Sequence, residues 1–308
     1  MNGNLDWSAL PTVASIFLLL IVGYSSKKLR ILSVKDTGVI NSIVVNLALP
    51  AFIFVSIHDK PLTLDMVKAP GIGIVVDVAV LAGAYVIARL LKLDRPTTAG
   101  LMIAATFGNT GYMGLPVVSA VFKGDGGSLL TAAMMDSFAM RMVLCTAGIA
   151  VATTFAGTRF DWRCTLEFVK SPLFAAVVIA LLLRKTPVPQ FLLSGIDKMG
   201  GATVPLSMIS VGLNLSMGSV RKWPAGSLAA TALKMAAMPA LMFLGLSALH
   251  IEHSVSRVAV LEMAMPSAIF GGVIAGRYGA NKEFVAGAIF VSTLLSVVAL
   301  PIVVMLVK

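Results

Sequence analysis

Apolar residues fall along this chain in long blocks. Neither the strict alternation of a half-buried strand nor the one-sided period of a surface helix is present. Ten blocks stand out: roughly Leu10–Ser25, Thr37–Ile57, Gly71–Ala88, Thr97–Phe122, Ser128–Phe155, Pro172–Leu183, Met199–Met217, Ala225–Leu249, Val258–Ala275 and Phe284–Val307. Charged residues or Gly/Pro clusters separate them, which is the pattern of membrane-spanning helices. A helix needs roughly 20 residues to cross a hydrocarbon core of about 30 Å, so the ten blocks and short loops account for the chain. The sixth block is short, and an earlier start near Glu167 with Lys170 snorkelling to the headgroups would lengthen it. Met1–Ala9 holds no Lys or Arg, and no small-residue cleavage site follows the first block. No cleaved secretory signal is therefore expected.

The blocks are interrupted in a repeated way. Pro50 lies inside the second, in Asn46-Leu-Ala-Leu-Pro-Ala-Phe, and Pro205 lies inside the seventh, 155 residues later. The fourth reads Thr106-Phe-Gly-Asn-Thr-Gly-Tyr-Met-Gly-Leu-Pro116. The ninth reads Met263-Ala-Met-Pro-Ser-Ala-Ile-Phe-Gly-Gly272, and an offset of 156 carries Phe122 onto Tyr278. Near-identical offsets predict two five-helix repeats, 1–156 and 157–308. Because five is odd, the second repeat must be inverted relative to the first. The expected fold is an all-α polytopic membrane protein of ten transmembrane helices in two inverted repeats, with helices 4 and 9 broken and crossing. A proline in a helix removes a backbone donor and crowds the preceding turn. Freed backbone groups at membrane depth survive only inside protein or beside a water-lined cavity. A broken helix also presents an N-terminus with about half a positive charge to whatever occupies the midplane, and this favours an anion.

Composition agrees. The chain is 58% hydrophobic and only 12% charged, with a mean hydropathy of +0.94, against about 25% charged residues in soluble domains. A soluble enzyme, a disordered scaffold and a disulfide-stapled secreted domain are excluded. The net charge of +10 is spread over loops and forms no contiguous nucleic-acid-binding patch. With the N-terminus outside, the inner loops hold 14 Lys and Arg and the outer side 8, so both termini are expected outside. Cys145 and Cys164 are too few for a disulfide or metal framework and read as structural thiols. No G-x-x-x-x-G-K-[ST] sequence is present, so a P-loop in this chain is excluded. No cofactor or metal is expected.

Asn109-Thr-Gly-Tyr-Met-Gly-Leu-Pro116-Val-Val resembles the Asn-Thr-x-x-Met-Gly-Ile/Leu-Pro crossover motif of the auxin efflux carrier family, which includes the plant PIN carriers and bacterial malonate-type organic-anion permeases. Ile40-Asn41 with Leu47-Ala-Leu-Pro50 is similar to that family's second helix. Met265-Pro266-Ser267 with Gly276-Arg277-Tyr278-Gly279 is similar to its ninth. The resemblance spans essentially the whole chain. It implies scaffold helices 1, 2, 6 and 7 (1–69 and 157–222), transport helices 3–5 and 8–10 (70–156 and 223–308), dimers through the scaffold, and elevator-type alternating access. It also implies a substrate-contacting amide at Asn109 and a crossover proline at Pro116. Thr110, Gly111, Pro266, Ser267, Gly271 and Asn46 complete the expected substrate-binding set. Two departures are plain: Gly271 stands where plant members have a second crossover proline, and only about Gly157–Ser171 remains of the large plant cytoplasmic loop.

Five formal charges fall inside the blocks: Asp77, Asp136, Arg141, Lys234 and Glu262. A charge at the bilayer centre costs roughly 2.5–3.5 kcal/mol even on insertion scales, so each must face protein or water. All five lie in the transport helices. Asp136 and Arg141 are five apart, which on a regular helix separates them by about 140°, so each is expected to find partners on other helices. Lys234 is a candidate partner for Asp77 or Asp136, and Arg141 for Glu262. Arg141 or Lys234 suits a carboxylate, while an acid, Asp136 first, suits a coupling ion. Asn41, Asn46 and Asn214 either line a cavity or cap kinked backbone. Met135, Met140, Met142, Met235 and Met238 read as core filling, and His58, His250 and His253 as exposed span ends.

The reading that unites these features is a secondary carrier for a small organic anion, a carboxylate such as malonate or a related weak acid. It would sit in a bacterial inner membrane as a homodimer, with H⁺ or Na⁺ as a possible coupling ion and no nucleic acid as partner. The rivals are an intramembrane enzyme built on paired buried carboxylates, such as Asp77 with Asp136, and a passive channel.

Overall fold

The computed structural model describes residues 10–58, 60–123, 125–157, 170–184, 186–215 and 220–307. Met1–Ala9, most of the inner loop with Arg159, Arg163, Cys164 and Glu167, Lys185, the end of the seventh block at Met217 and Lys308 lie outside these residues. All elements among the described residues are helical: α1 (Leu10–Lys28), α2 (Val34–Ile57), α3 (Leu64–Leu90), α4 (Arg95–Thr106), α5 (Thr110–Val121), α6 (Gly126–Ala156), α7 (Pro172–Leu182), α8 (Gln190–Gly201), α9 (Thr203–Asn214), α10 (Pro224–Ala248), α11 (His253–Met263), α12 (Ile269–Tyr278) and α13 (Lys282–Val307). Five of them, α2, α3, α6, α10 and α13, are long and apolar enough to cross a membrane. A helix or a consecutive pair stands at each apolar block. The fourth block is the pair α4 and α5, the seventh α8 and α9, the ninth α11 and α12.

The prolines act by a common device. Within α2, residues Val44–Ala48 widen into a π-turn and Pro50 follows two residues later. The same order recurs with Thr110–Gly114 before Pro116 in α5, and with Leu233–Ala237 before Pro239 in α10. In all three, the residue before the proline donates its N–H to the carbonyl five positions back: Leu49 to Val44, Leu115 to Thr110, Met238 to Leu233. Widening the turn relieves the clash between the ring and the preceding carbonyls without ending the helix. Helix α2 therefore continues through Pro50 without a break. Pro205 sits in the first turn of α9, just after the α8–α9 joint at Ala202.

Two groups of helices pack together. In one, α1 lies along α9, and α2 packs on α7, α8 and α9. Small residues bring α1 and α9 close: a Cβ on Gly212 would lie 2.7 Å from the backbone N of Tyr24, and one on Gly23 would lie 2.8 Å from Ile209 Cα. This is the close approach that small residues permit between membrane helices. In the other group, α4 is surrounded by α3, α6, α10 and α13, and every residue from Thr97 to Thr106 is buried.

Candidate functional site

The helices of the fourth and ninth blocks break beside each other. α4 ends at Thr106 and α5 begins at Thr110; α11 ends at Met263 and α12 begins at Ile269. The extended segments between them cross as an antiparallel bridge at Gly108 and Ser267. Asn109 N–H donates to Pro266 O at 2.7 Å, and Ala268 N–H donates to Phe107 O at 2.8 Å. Asn109 O then accepts from the N–H groups of Met113 and Gly114 at 3.0 and 3.1 Å, starting α5. The backbone that the breaks would orphan is thus satisfied across the crossing, as burial demands. Ser267 fastens it further: its hydroxyl donates to Ala104 O at 2.7 Å and its N–H to Ser292 Oγ at 3.1 Å.

A cavity of about 530 Å³ opens against this crossing, within the size range of small-molecule sites. Its wall includes Asn41, Ser42 and Asn46 of α2, Gly108, Asn109, Gly111 and Tyr112 at the start of α5, and Asp136, Met140, Arg141 and Cys145 of α6. Lys170 and Ser171 stand before α7, and Ala268 and Phe270 at the start of α12. The N-termini of α5 and α12 both reach it, so helix-end N–H dipoles and one guanidinium bear on the same space.

Arg141 and Asp136 form an ion pair at 2.8 Å, with side chains 20% and 4% exposed. This corrects the expectation that residues five apart diverge and seek separate partners. Met135–Met142 is a π-segment, in which residues five apart lie one turn above another. Arg141 therefore meets Asp136 and not Glu262. Thr110 Oγ1 donates to the other carboxylate oxygen of Asp136 at 2.6 Å, tying the crossing to α6. The Nε–H of Arg141 is buried with no partner among the described residues.

The other expected residues divide by place. Asn109, Gly111, Asn46 and Asp136 line the cavity, with the Nδ2 of Asn46 donating to Ser42 O at 2.9 Å. Pro266 and Ser267 build the crossing. Pro116 lies one turn into α5, buried and away from the cavity wall. Gly271 is helical, its N–H bonded to Ala268 O, and a Cβ there would meet Ile103 Cγ2 at 3.1 Å; it serves packing between α12 and α4. Asp77, Lys234 and Glu262 are fully buried behind the crossing and do not line the cavity. Lys234 forms no ion pair within bonding distance among the described residues: its ammonium donates to Met263 O at 2.6 Å and to Met238 Sδ at 3.1 Å.

Several roles escaped the sequence. Met140 Sδ accepts the Gly108 N–H at 3.0 Å, so this methionine is a polar strut and not filling alone. Cys145 stands at the cavity wall. Asn41 accepts from Ser210 Oγ at 2.5 Å, linking α2 to α9 at the cavity edge. His58, expected at an exposed end, is buried and stacks on Phe54 with ring centroids 5.4 Å apart. Tyr112, within the crossover motif but given no role of its own, and Lys170, expected only to snorkel to the headgroups, both line the cavity.

A bundle of apolar helices whose broken segments cross beside a cavity bearing an arginine and several amides is the construction of a membrane transport protein. A family model described as membrane transport protein matches residues 8–152 and 162–304, and the chain belongs to that family, the one that includes the auxin efflux carriers. It is 30% identical over 295 residues to a protein of Methanothermobacter thermautotrophicus named "Uncharacterized transporter", covering 94% of this chain and 96% of that one. It is 26% identical over 308 residues to "Uncharacterized transporter MJ1031" of Methanocaldococcus jannaschii, covering 94% and 96%. It is 27% identical over 296 residues to a Rhizobium meliloti protein named "Putative malonate transporter", covering 92% and 91%. The protein is a transporter and not an enzyme.

Proposed function

We propose that the chain is a secondary carrier that moves a small organic anion, a carboxylate such as malonate or a related weak acid, by elevator-type alternating access. The observation that carries this reading is the cavity of about 530 Å³ in which Arg141 and the N-termini of α5 and α12 meet. A carboxylate would gain charge-assisted bonds from the guanidinium and from helix-end N–H groups, with Asn109, Tyr112 and Asn46 able to fix its orientation. Lys170 at the wall adds attraction for anions. The malonate name of one relative supports this substrate class.

The two packing groups supply the moving parts. α1, α2 and α7–α9 form the proposed scaffold, and α3–α6 with α10–α13 the transport body that carries the crossing. The cavity lies between them, with Asn41 and Asn46 on one side and Asn109 and Arg141 on the other. In this reading the helices make ten spans in two inverted repeats, 1–156 and 157–308. Both termini face outward from a bacterial inner membrane, scaffold surfaces pair in a homodimer, and H⁺ or Na⁺ is the coupling ion.

The test is uptake of radiolabelled malonate into proteoliposomes, with unlabelled dicarboxylates, monocarboxylates and indole acetate as competitors. Saturable uptake that Asn109→Ala and Arg141→Gln each abolish, with folded protein retained, supports the site. Saturable uptake untouched by both changes moves the site elsewhere, and no saturable uptake of any of these anions refutes the substrate class.

A further inference from the structure

Three glycines of the crossing region, Gly108, Gly111 and Gly114, recur every third residue, and each leaves space for a charged side chain. A Cβ on Gly108 would lie 2.6 Å from Lys234 Cε and 2.9 Å from its Nζ. One on Gly111 would lie 3.0 Å from both Arg141 Nη2 and Asp136 Oδ1, and one on Gly114 would overlap the Glu262 carboxylate. Gly111 faces the cavity. Gly108 and Gly114 contact the opposite side, where Asp77 of α3, Lys234 of α10 and Glu262 of α11 are each 0% exposed. Lys234 lies within electrostatic range of both acids.

The charges in this second group do not cancel. Its one ammonium is bonded to a carbonyl and a thioether. All four carboxylate oxygens of Asp77 and Glu262 are buried and accept no hydrogen bond from the described residues. Among the described residues, no cation of a neighbouring helix pairs with either acid. Asp136 and Arg141 of α6 form an ion pair with each other, and Asp136 adds a further negative charge within electrostatic reach of Glu262. Tyr112 of α5 lines the cavity, and Arg257, nearer the start of α11, lies over the Phe122 ring. α13 contributes the buried hydroxyls Ser292, Thr293 and Ser296, with its charged residues, Lys282 and Glu283, at its start. Two carboxylates and one ammonium leave one unit of negative charge in a site sealed from water, where an unpaired ion is strongly disfavoured. One monovalent cation restores neutrality. Sodium would need a shell of oxygen ligands, whereas a sulfur atom and a lysine ammonium occupy this space; a proton needs one oxygen.

We propose that the Asp77–Lys234–Glu262 cluster, directly behind the crossing from the anion cavity, binds one exchangeable proton and couples anion movement to the proton gradient. The inference rests on the carrier reading above. The balance is simple: one O–H bond forms on a carboxylate of the cluster when the transport body faces one compartment, and that bond breaks, returning the proton to water, when it faces the other. The anion crosses in the same step. Because Gly108 and Gly114 hold the cluster against the same short backbone that forms the cavity wall, charge on one side of the crossing bears on occupancy of the other.

Two measurements decide the matter. The infrared spectrum of the purified protein in lipid should contain the C=O stretch of a protonated carboxyl, shifted in D₂O, that Glu262→Gln or Asp77→Asn removes. In proteoliposomes with malonate as probe, an inside-alkaline gradient should drive accumulation in the wild type. Each variant should lose at least tenfold of that accumulation while retaining gradient-free malonate counterflow. Absence of the wild-type band overturns the proposal without reference to any variant's folding. Accumulation unchanged in both variants, or driven by a sodium gradient and not by a pH gradient, also overturns it. Absence of wild-type malonate counterflow would instead count against the carrier reading, and the infrared result would still decide whether the cluster holds a proton.

Discussion

The Asp136–Arg141 pair gives the sharpest energetic test of the local geometry. On a regular α-helix these side chains would point about 140° apart and would not interact; in the π-segment they bond at 2.8 Å. Replacing Arg141 with Met leaves the Asp136 carboxylate, 4% exposed, with the Thr110 hydroxyl as its remaining bonded partner. Breaking a fully buried pair costs about 3–5 kcal/mol. Arg141 is 20% exposed and partly hydrated from the cavity, so the expected loss is about 2–3 kcal/mol. Asp136→Asn strands the guanidinium less severely, at about 1–2 kcal/mol, since water in the cavity can reach it. The double variant removes both charges and should cost no more than Arg141→Met alone, so the cycle should yield a coupling energy of about 1–2 kcal/mol. Equilibrium unfolding in mixed micelles, followed by circular dichroism, measures all four corners. Single-variant effects that add to within about 0.5 kcal/mol would refute the pairing, and with it the π-geometry of α6.

Three further outcomes follow from close contacts and wall positions. Gly114→Ala places a methyl group into the Glu262 carboxylate and should sharply lower the yield of folded protein, while adding Glu262→Ala should restore monodispersity on gel filtration; failure of the second change to rescue would argue against that contact. Gly212→Ala presses α9 against the backbone of Leu20 and Tyr24 and should destabilise by about 1–3 kcal/mol in thermal unfolding, whereas Gly201→Ala, with open space around it, should be neutral. In a Cys164→Ser background, maleimide labelling of Cys145 at the cavity wall should slow several-fold with saturating malonate; labelling indifferent to every anion tested would place the substrate elsewhere.

The membrane architecture was legible because it rests on coarse quantities. Apolar block length, loop charge and Gly/Pro interruption each report burial in lipid, and the helices stand where those blocks stand. The crossing was legible for the same reason, since Asn109-Thr-Gly and Met265-Pro-Ser interrupt runs that should otherwise be continuous. What escaped the sequence depends on small departures from regular helix. The 3.6-residue period misassigned Asp136 and Arg141 because a π-turn changes the angular step, and α6 contains no proline near that turn to announce it. The π-turns before Pro50, Pro116 and Pro239 do have such a marker and follow from the geometry of the ring. Contacts between distant segments, such as Asn41 with Ser210 or Met140 with the Gly108 N–H, depend on packing that no local pattern encodes. Gly271 was expected at the site by analogy of position, yet one helical turn carries it to a packing surface.

Everything proposed for this protein depends on its carrying a small carboxylate through a site at the crossing. The most direct measurement is counterflow: proteoliposomes preloaded with unlabelled malonate, diluted into a trace of labelled malonate with no ion gradient imposed. A carrier should give a transient internal accumulation of label above the external concentration, saturable and absent in Asn109→Ala protein that remains folded. Label that equilibrates without overshoot and without saturation would contradict a carrier and point to a passive pore.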